Sequence, residues 1–133
     1  MARILIADDS RPIRMLIRRA LSIEQHEILE AEDGDAALES LIRERPDVVI
    51  LDVIMPGLSG IDVCRAIRAD PELAGTGVIF LTGDIMSDQL REAGADRIFA
   101  KPFSPHGLLA AVAELAAPTV ADRRRQRQVL ALR

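Results

Sequence analysis

The chain has no tryptophan, no tyrosine, one cysteine and one lysine. Without a second cysteine no internal disulfide can form. Cys64 falls within an apolar helical pattern and reads as a small buried hydrophobe. No apolar run approaches the length needed to span a bilayer. Met1-Ala2-Arg3, followed at once by a short strand, does not read as a secretory signal. These features together lead us to expect a cytoplasmic protein with no membrane partner. A P-loop nucleotidase is excluded by the absence of GxxxxGK[ST]. With neither Trp nor Tyr, the intrinsic-fluorescence readout of metal or phosphate binding is lost.

The 133 residues are enough for a single domain with one sizeable core. The net charge of −4 is unevenly spread. Residues 119–133 hold Arg123, Arg124, Arg125, Arg127 and Arg133 against Asp122, a charge of +4, which leaves −8 on residues 1–118. An acidic body argues against direct nucleic-acid binding by the domain itself. We expect a domain over 1–117 and a basic C-terminal tail or linker over 118–133.

Strand-like and helix-like patterns alternate. Ile4–Ala7 is a short β run, and Pro12 opens a helical pattern with Ile13, Leu16, Ile17, Ala20 and Leu21 on one stripe. Arg11, Arg14, Arg18 and Arg19 fall largely off that stripe and read as a solvated face or a docking surface for an acidic partner. Glu27–Ala31 is a second strand. Asp33 caps a second helix that Pro46 closes. Asp47–Leu51, the run into Thr82, and Arg97–Ala100 are further strands. Helices follow at Ile61–Ala69, Ser87–Ala93 and Pro105–Ala116, the last capped by Ser104. This (βα)5 order predicts an α/β fold with a doubly wound, parallel, five-stranded sheet. His26 and His106 have no carboxylate or cysteine at ligand spacing and read as surface histidines.

Four of the apolar runs end on residues suited to phosphoryl chemistry: Asp8-Asp9, Asp52, Thr82 and Lys101. In an open parallel sheet, ligands bind just outside the carboxyl ends of the strands. Three clustered carboxylates repel by roughly 1 kcal/mol per pair in water, and by more in a less polar site, so such a cluster suits a hard cation such as Mg²⁺. A carboxylate can accept a phosphoryl group as an acyl phosphate. Asp52 is the best candidate, because it ends a buried run and precedes the Pro/Gly-rich loop 55–60. Lys101 is the only lysine against sixteen arginines, which hints that its position needs a compact point charge. Thr82 can donate a hydrogen bond to the phosphoryl group, and Gly83 leaves that approach open.

Asp8-Asp9, the segment from Leu51-Asp52 through Met55-Pro56-Gly57 to Gly60, Leu81-Thr82-Gly83, Ala93-Gly94-Ala95-Asp96 and Lys101-Pro102-Phe103 resemble the receiver domain of two-component response regulators, over about residues 2–117. The resemblance implies a flavodoxin-like fold with strand order 2-1-3-4-5, similar to the chemotaxis response regulator. It implies that Asp52 takes a phosphoryl group from a sensor histidine kinase or histidine phosphotransfer protein. Mg²⁺ (or Mn²⁺) would be bound by Asp9, Asp52 and the Ile54 carbonyl, with Asp8 acting through water. Thr82 would be the switch hydroxyl, Lys101 the phosphate partner, and Ile54 and Asp84 the positions that tune self-hydrolysis of the acyl phosphate.

Two features depart from the family pattern. Ile98 stands where the family usually carries an aromatic, with Phe99 one step along and therefore on the opposite strand face. Thr82 and Lys101 are also about one helical turn closer than is common, so the fourth helix region should be short. Phosphorylation is then expected to be read through loop and helix position, by a downstream effector that the sequence does not name, from a monomer or weak dimer. The alternatives are a phosphorylation-independent pseudo-receiver, a receiver fragment of a longer multidomain regulator, and an aspartyl-nucleophile phosphatase. The phosphatase lacks the second acid expected two residues beyond Asp52, where Ile54 stands, and has no cap domain.

Overall fold

The computed structural model describes residues 2–83 and 87–116. Asp84 and the tail 118–133 lie outside these residues. The chain alternates β1 (Arg3–Ala7), α1 (Arg11–Leu21), β2 (Glu27–Ala31), α2 (Gly34–Glu44), β3 (Val48–Asp52), α3 (Gly60–Ala69), β4 (Gly77–Thr82), α4 (Ser87–Ala93), β5 (Arg97–Ala100) and α5 (Pro105–Leu115). All strands pair in parallel, in the order β2-β1-β3-β4-β5. This is the doubly wound α/β sheet expected from the pattern.

Strand side chains alternate between faces, and this sheet sorts them into two cores. Leu5, Ala7, Val49, Leu51, Val78 and Phe80 pack against α2, α3 and α4 through Ala37, Leu41, Val63, Ile67 and Leu90. Ile4, Ile6, Val48, Ile50, Ile79 and Leu81 pack against α1 and α5 through Ile17, Leu21, Leu108 and Val112. Every residue of β3 and β4 is buried, as near-continuous apolar strands covered on both faces should be. Ile98 joins the α2–α4 side and Phe99 the α1/α5 side, so the opposite-face reading of this pair holds.

Local chemistry sets the helix ends. Ser10, Asp33, Ser59 and Ser104 each accept a backbone N–H from the first turn of α1, α2, α3 and α5, which satisfies one of the orphan donors there. Helix α4 is short and begins and ends where the sequence places it.

Three sequence expectations require correction. Leu16 is 52% exposed: α1 rests on the core through Ile17 and Leu21, and the packed stripe is narrower than the helical period suggests. His26 is not a surface residue. Its side chain is only 6% exposed, Nδ1 accepts the Ala2 N–H at 3.2 Å, and Nε2 lies 3.2 Å from the Glu24 carboxylate, off the hydrogen-bond direction. The third correction, Arg14, belongs to the site. His106 is exposed and Cys64 fully buried, both as expected.

Candidate functional site

The site lies at the carboxyl ends of β1, β3, β4 and β5. Asp8 directly follows β1, Asp52 closes β3, Thr82 closes β4 and Lys101 directly follows β5. Asp52 is thus the last residue of its strand and not the first beyond it. Register explains the convergence. Leu51 pairs with both Ala7 and Phe80, and Thr82 pairs with Ala100, so the strand ends lie level across the sheet.

One oxygen from each of Asp8, Asp9 and Asp52 lies within 4.8 Å of the others. Asp8 and Asp52 are buried and Asp9 is exposed. The Lys101 ammonium lies 3.0 Å from Asp8 Oδ2 and 3.4 Å from Asp52 Oδ2. Burial raises the Asp52 pKa above its usual 3.8, and the Asp8 charge adds to the rise. Lys101 and an Ile54 backbone N–H oppose it without cancelling it. Burial disfavours the Lys101 ammonium, but the Asp8 hydrogen bond and the Asp52 charge outweigh burial and raise its pKa above 10.5. Three carboxylates and one ammonium leave a formal charge of −2 (−3 + 1) on an all-oxygen donor set. That donor set and charge fit a hard divalent cation.

Thr82 is buried at the β4 end, and its carbonyl accepts the Lys101 N–H at 2.8 Å, which fixes the start of the β5–α5 connection. The Lys101–Pro102 peptide is cis. Gly83 faces open space. Asp84 is outside the described residues. Ile54 is 75% exposed beside the cluster.

The loop after Asp52 is held from two sides. A Cβ on Gly60 would come within 2.1 Å of the Asp52 carbonyl oxygen, so α3 can begin this close to the site only with glycine there. Gly57 has φ +74° and lies against Asp35 of α2. A glycine reading of the sequence marks this loop as tight but does not reveal that its first neighbour is the backbone of Asp52.

Arg14, read from the sequence as part of a solvated face or a docking surface, has a side chain only 12% exposed. Its Nη1 donates to the Asp8 carbonyl at 2.7 Å and its Nε to Glu30 at 2.9 Å. Arg18 also pairs with Glu30, while Arg11 and Arg19 are exposed. A second residue that sequence reasoning missed is Arg68 on α3. Its guanidinium donates to the carbonyls of Ala74, Thr76 and Gly94 and to the Asp96 carboxylate. The Cys64 thiol, one turn earlier, donates to the Ala93 carbonyl at 3.3 Å. Helix α3 thus supplies donors to the end of α4, an arrangement that only the tertiary structure reveals.

Comparison with known proteins is consistent with this geometry. A family model described as "Response regulator receiver domain" matches residues 4–113. Response regulator MprA of Mycobacterium leprae is 40% identical over 123 residues, which is 90% of this chain and 53% of that protein. The corresponding MprA of Mycolicibacterium vanbaalenii is 39% identical, over 90% of this chain and 52% of its own length. The chain therefore spans about half the length of the curated relatives it matches. Among solved structures, the chemotaxis response regulator CheY4 of Vibrio cholerae superposes with a TM-score of 0.80 at 31% identity, covering 86% of this chain and 98% of that one. The receiver domain of Francisella response regulator 1452 gives 0.80 at 29% identity, over 90% and 99%. No helix among the described residues is long and apolar enough to cross a membrane.

Proposed function

The chain belongs to the response regulator receiver domain family, and from that premise we propose that Asp52 is its phosphoryl acceptor in a two-component phosphorelay. The donor is a phosphohistidine on a sensor histidine kinase or histidine phosphotransfer protein. An Asp52 carboxylate oxygen forms the new O–P bond as the donor's N–P bond breaks. The imidazole nitrogen leaves with the electron pair and recovers a proton. Water later attacks phosphorus, which releases inorganic phosphate and restores the carboxylate.

The observation that carries this reading is the Lys101 ammonium placed between Asp8 and Asp52, with Asp9 completing the acidic trio. Asp8, Asp9, Asp52 and the Ile54 carbonyl would hold Mg²⁺ or Mn²⁺. Bound there, the cation would neutralise charge on the phosphoryl oxygens, the main requirement of phosphoryl transfer. Lys101 would turn from the carboxylates to a phosphoryl oxygen, and the Thr82 hydroxyl would donate to another. Because Ile98 and Phe99 pack in different cores, the response is carried by Thr82, the loop after it and α4, without an aromatic flip.

The test is intact mass after incubation with acetyl phosphate, with and without Mg²⁺, on wild type and Asp52→Asn. One phosphoryl group on wild type only, and only with Mg²⁺, is the expected result. No adduct, where a control receiver is labelled under the same conditions, would point to a pseudo-receiver used as an interaction surface.

A further inference from the structure

Asp8 is engaged at each of its polar atoms. Its N–H donates to the Ala31 carbonyl on β2 at 3.1 Å. Oδ1 accepts the Ser10 N–H at 2.9 Å and Oδ2 accepts the Lys101 ammonium at 3.0 Å. Its carbonyl oxygen accepts Arg14 Nη1 at 2.7 Å. Arg14 is in turn oriented by Glu30, which takes its Nε at 2.9 Å and is gripped by Arg18 at 3.1 and 2.7 Å. The Arg18 hydrogen bond lowers the Glu30 pKa, and Arg14 reinforces this against the opposing effect of burial. Glu30 is therefore a dependable anion, and it aims one edge of a planar guanidinium so that another nitrogen meets the Asp8 carbonyl.

The Asp8 carbonyl and the Asp9 N–H belong to one planar peptide unit. A fixed carbonyl direction fixes the plane from which the Asp9 side chain departs. Asp9 is the exposed member of the acidic trio, the one whose carboxylate has most need of a rigid base. We propose that Arg14 is a positioning residue for the cation site: by holding the Asp8–Asp9 peptide plane, it aims the Asp9 carboxylate into the cluster before any cation arrives. This rests on the reading of the trio as a divalent-cation site.

Charge and geometry here act in opposite directions. A guanidinium beside an anionic cluster repels an incoming cation, so by Coulomb's law alone its removal tightens Mg²⁺ binding. Loss of preorganisation weakens it. The sign of the change therefore decides the question.

The experiment is a Mg²⁺ titration of wild type, Arg14→Gln and Arg14→Lys, followed by ¹H–¹⁵N NMR, with thermal unfolding in the absence of metal as the check on folding. Arg14→Gln is expected to bind Mg²⁺ at least threefold more weakly, with the Asp9 amide resonance displaced in the metal-free protein. Arg14→Lys keeps the charge but not the fork that serves Glu30 and Asp8 together, and it is also expected to bind more weakly. Unchanged or tighter binding by Arg14→Gln overturns the proposal. If that variant does not fold, Arg14→Lys with wild-type affinity overturns it. A wild type that takes up no Mg²⁺ at millimolar concentration instead overturns the cation-site reading itself. The two failures are distinguishable because in the first the wild type still binds.

Discussion

The ammonium of Lys101 and the carboxylate of Asp8, 93 positions apart in the chain, meet at 3.0 Å. The contact reaches across the two strands that separate β1 from β5 in the sheet. It is the main offset to the repulsion between Asp8 and Asp52, and several consequences can be measured.

Lys101→Met should raise the Asp52 pKa further, because the cation that opposes burial and the Asp8 charge is gone. A ¹³C carboxyl titration by NMR reads this directly. The wild-type Lys101 pKa is raised by its partners, so the stability from this contact is complete below pH 10.5. It is lost as pH climbs through the folded-state value. Lys101→Met should show no such alkaline loss.

Asp52→Asn should stabilise the metal-free protein at neutral pH. The folded-state pKa of Asp52 is raised from 3.8, so its contribution favours folding below that value and turns into a cost as pH rises through the folded-state pKa. Removing the charge should therefore raise Tm at pH 7. The gain should vanish by about pH 2.5, well below the usual 3.8, where both states are protonated. Thermal melts at the two pH values check it. An equal shift at both would mean that the charge is not the cause.

Arg68→Met should cost about 2–4 kcal/mol, because it removes the cation paired with the Asp96 carboxylate and the donors to three carbonyls in a largely buried setting. Hydrogen exchange should accelerate most at the C-terminal turn of α4 and the start of β5. A loss spread evenly over the sheet would contradict a local clamp.

Gly60→Ala should cost about 1–3 kcal/mol, since its Cβ would meet the Asp52 carbonyl oxygen at 2.1 Å and either α3 or the end of β3 must move. Urea unfolding gives the cost. The displaced amide resonances should centre on Asp52 and Val53, ahead of any in β1 or β2.

The alternation of strands and helices was readable from apolar period and punctuation, because β3 and β4 are buried on both faces and the caps Asp33 and Ser104 sit one residue before their helices, whereas the caps Ser10 and Ser59 emerged only from the structure. The ends of β1, β3, β4 and β5 were readable for the same reason, since a polar residue interrupts each apolar run. Strand order was not a matter of periodicity; it came from the family resemblance. What stayed hidden depended on partners distant in sequence. The helical period marks Arg14 as off-stripe but says nothing of Glu30, 16 positions on, or of the Asp8 carbonyl. The buried His26 side chain accepts the Ala2 N–H from 24 positions away. Arg68 reaches Asp96 across 28 positions.

That Lys101 is the only lysine, with a side chain 24% exposed, gives this protein a built-in chemical reporter. Amine-selective acylation can fall only on its Nζ and on the chain's own α-amino group, since every other cationic side chain is a guanidinium. A cation in the acidic trio or an acyl phosphate on Asp52 would change the reactivity of that one side-chain amine. The rate at which a single acyl group is added can then follow site occupancy in a molecule with no indole or phenol to fluoresce.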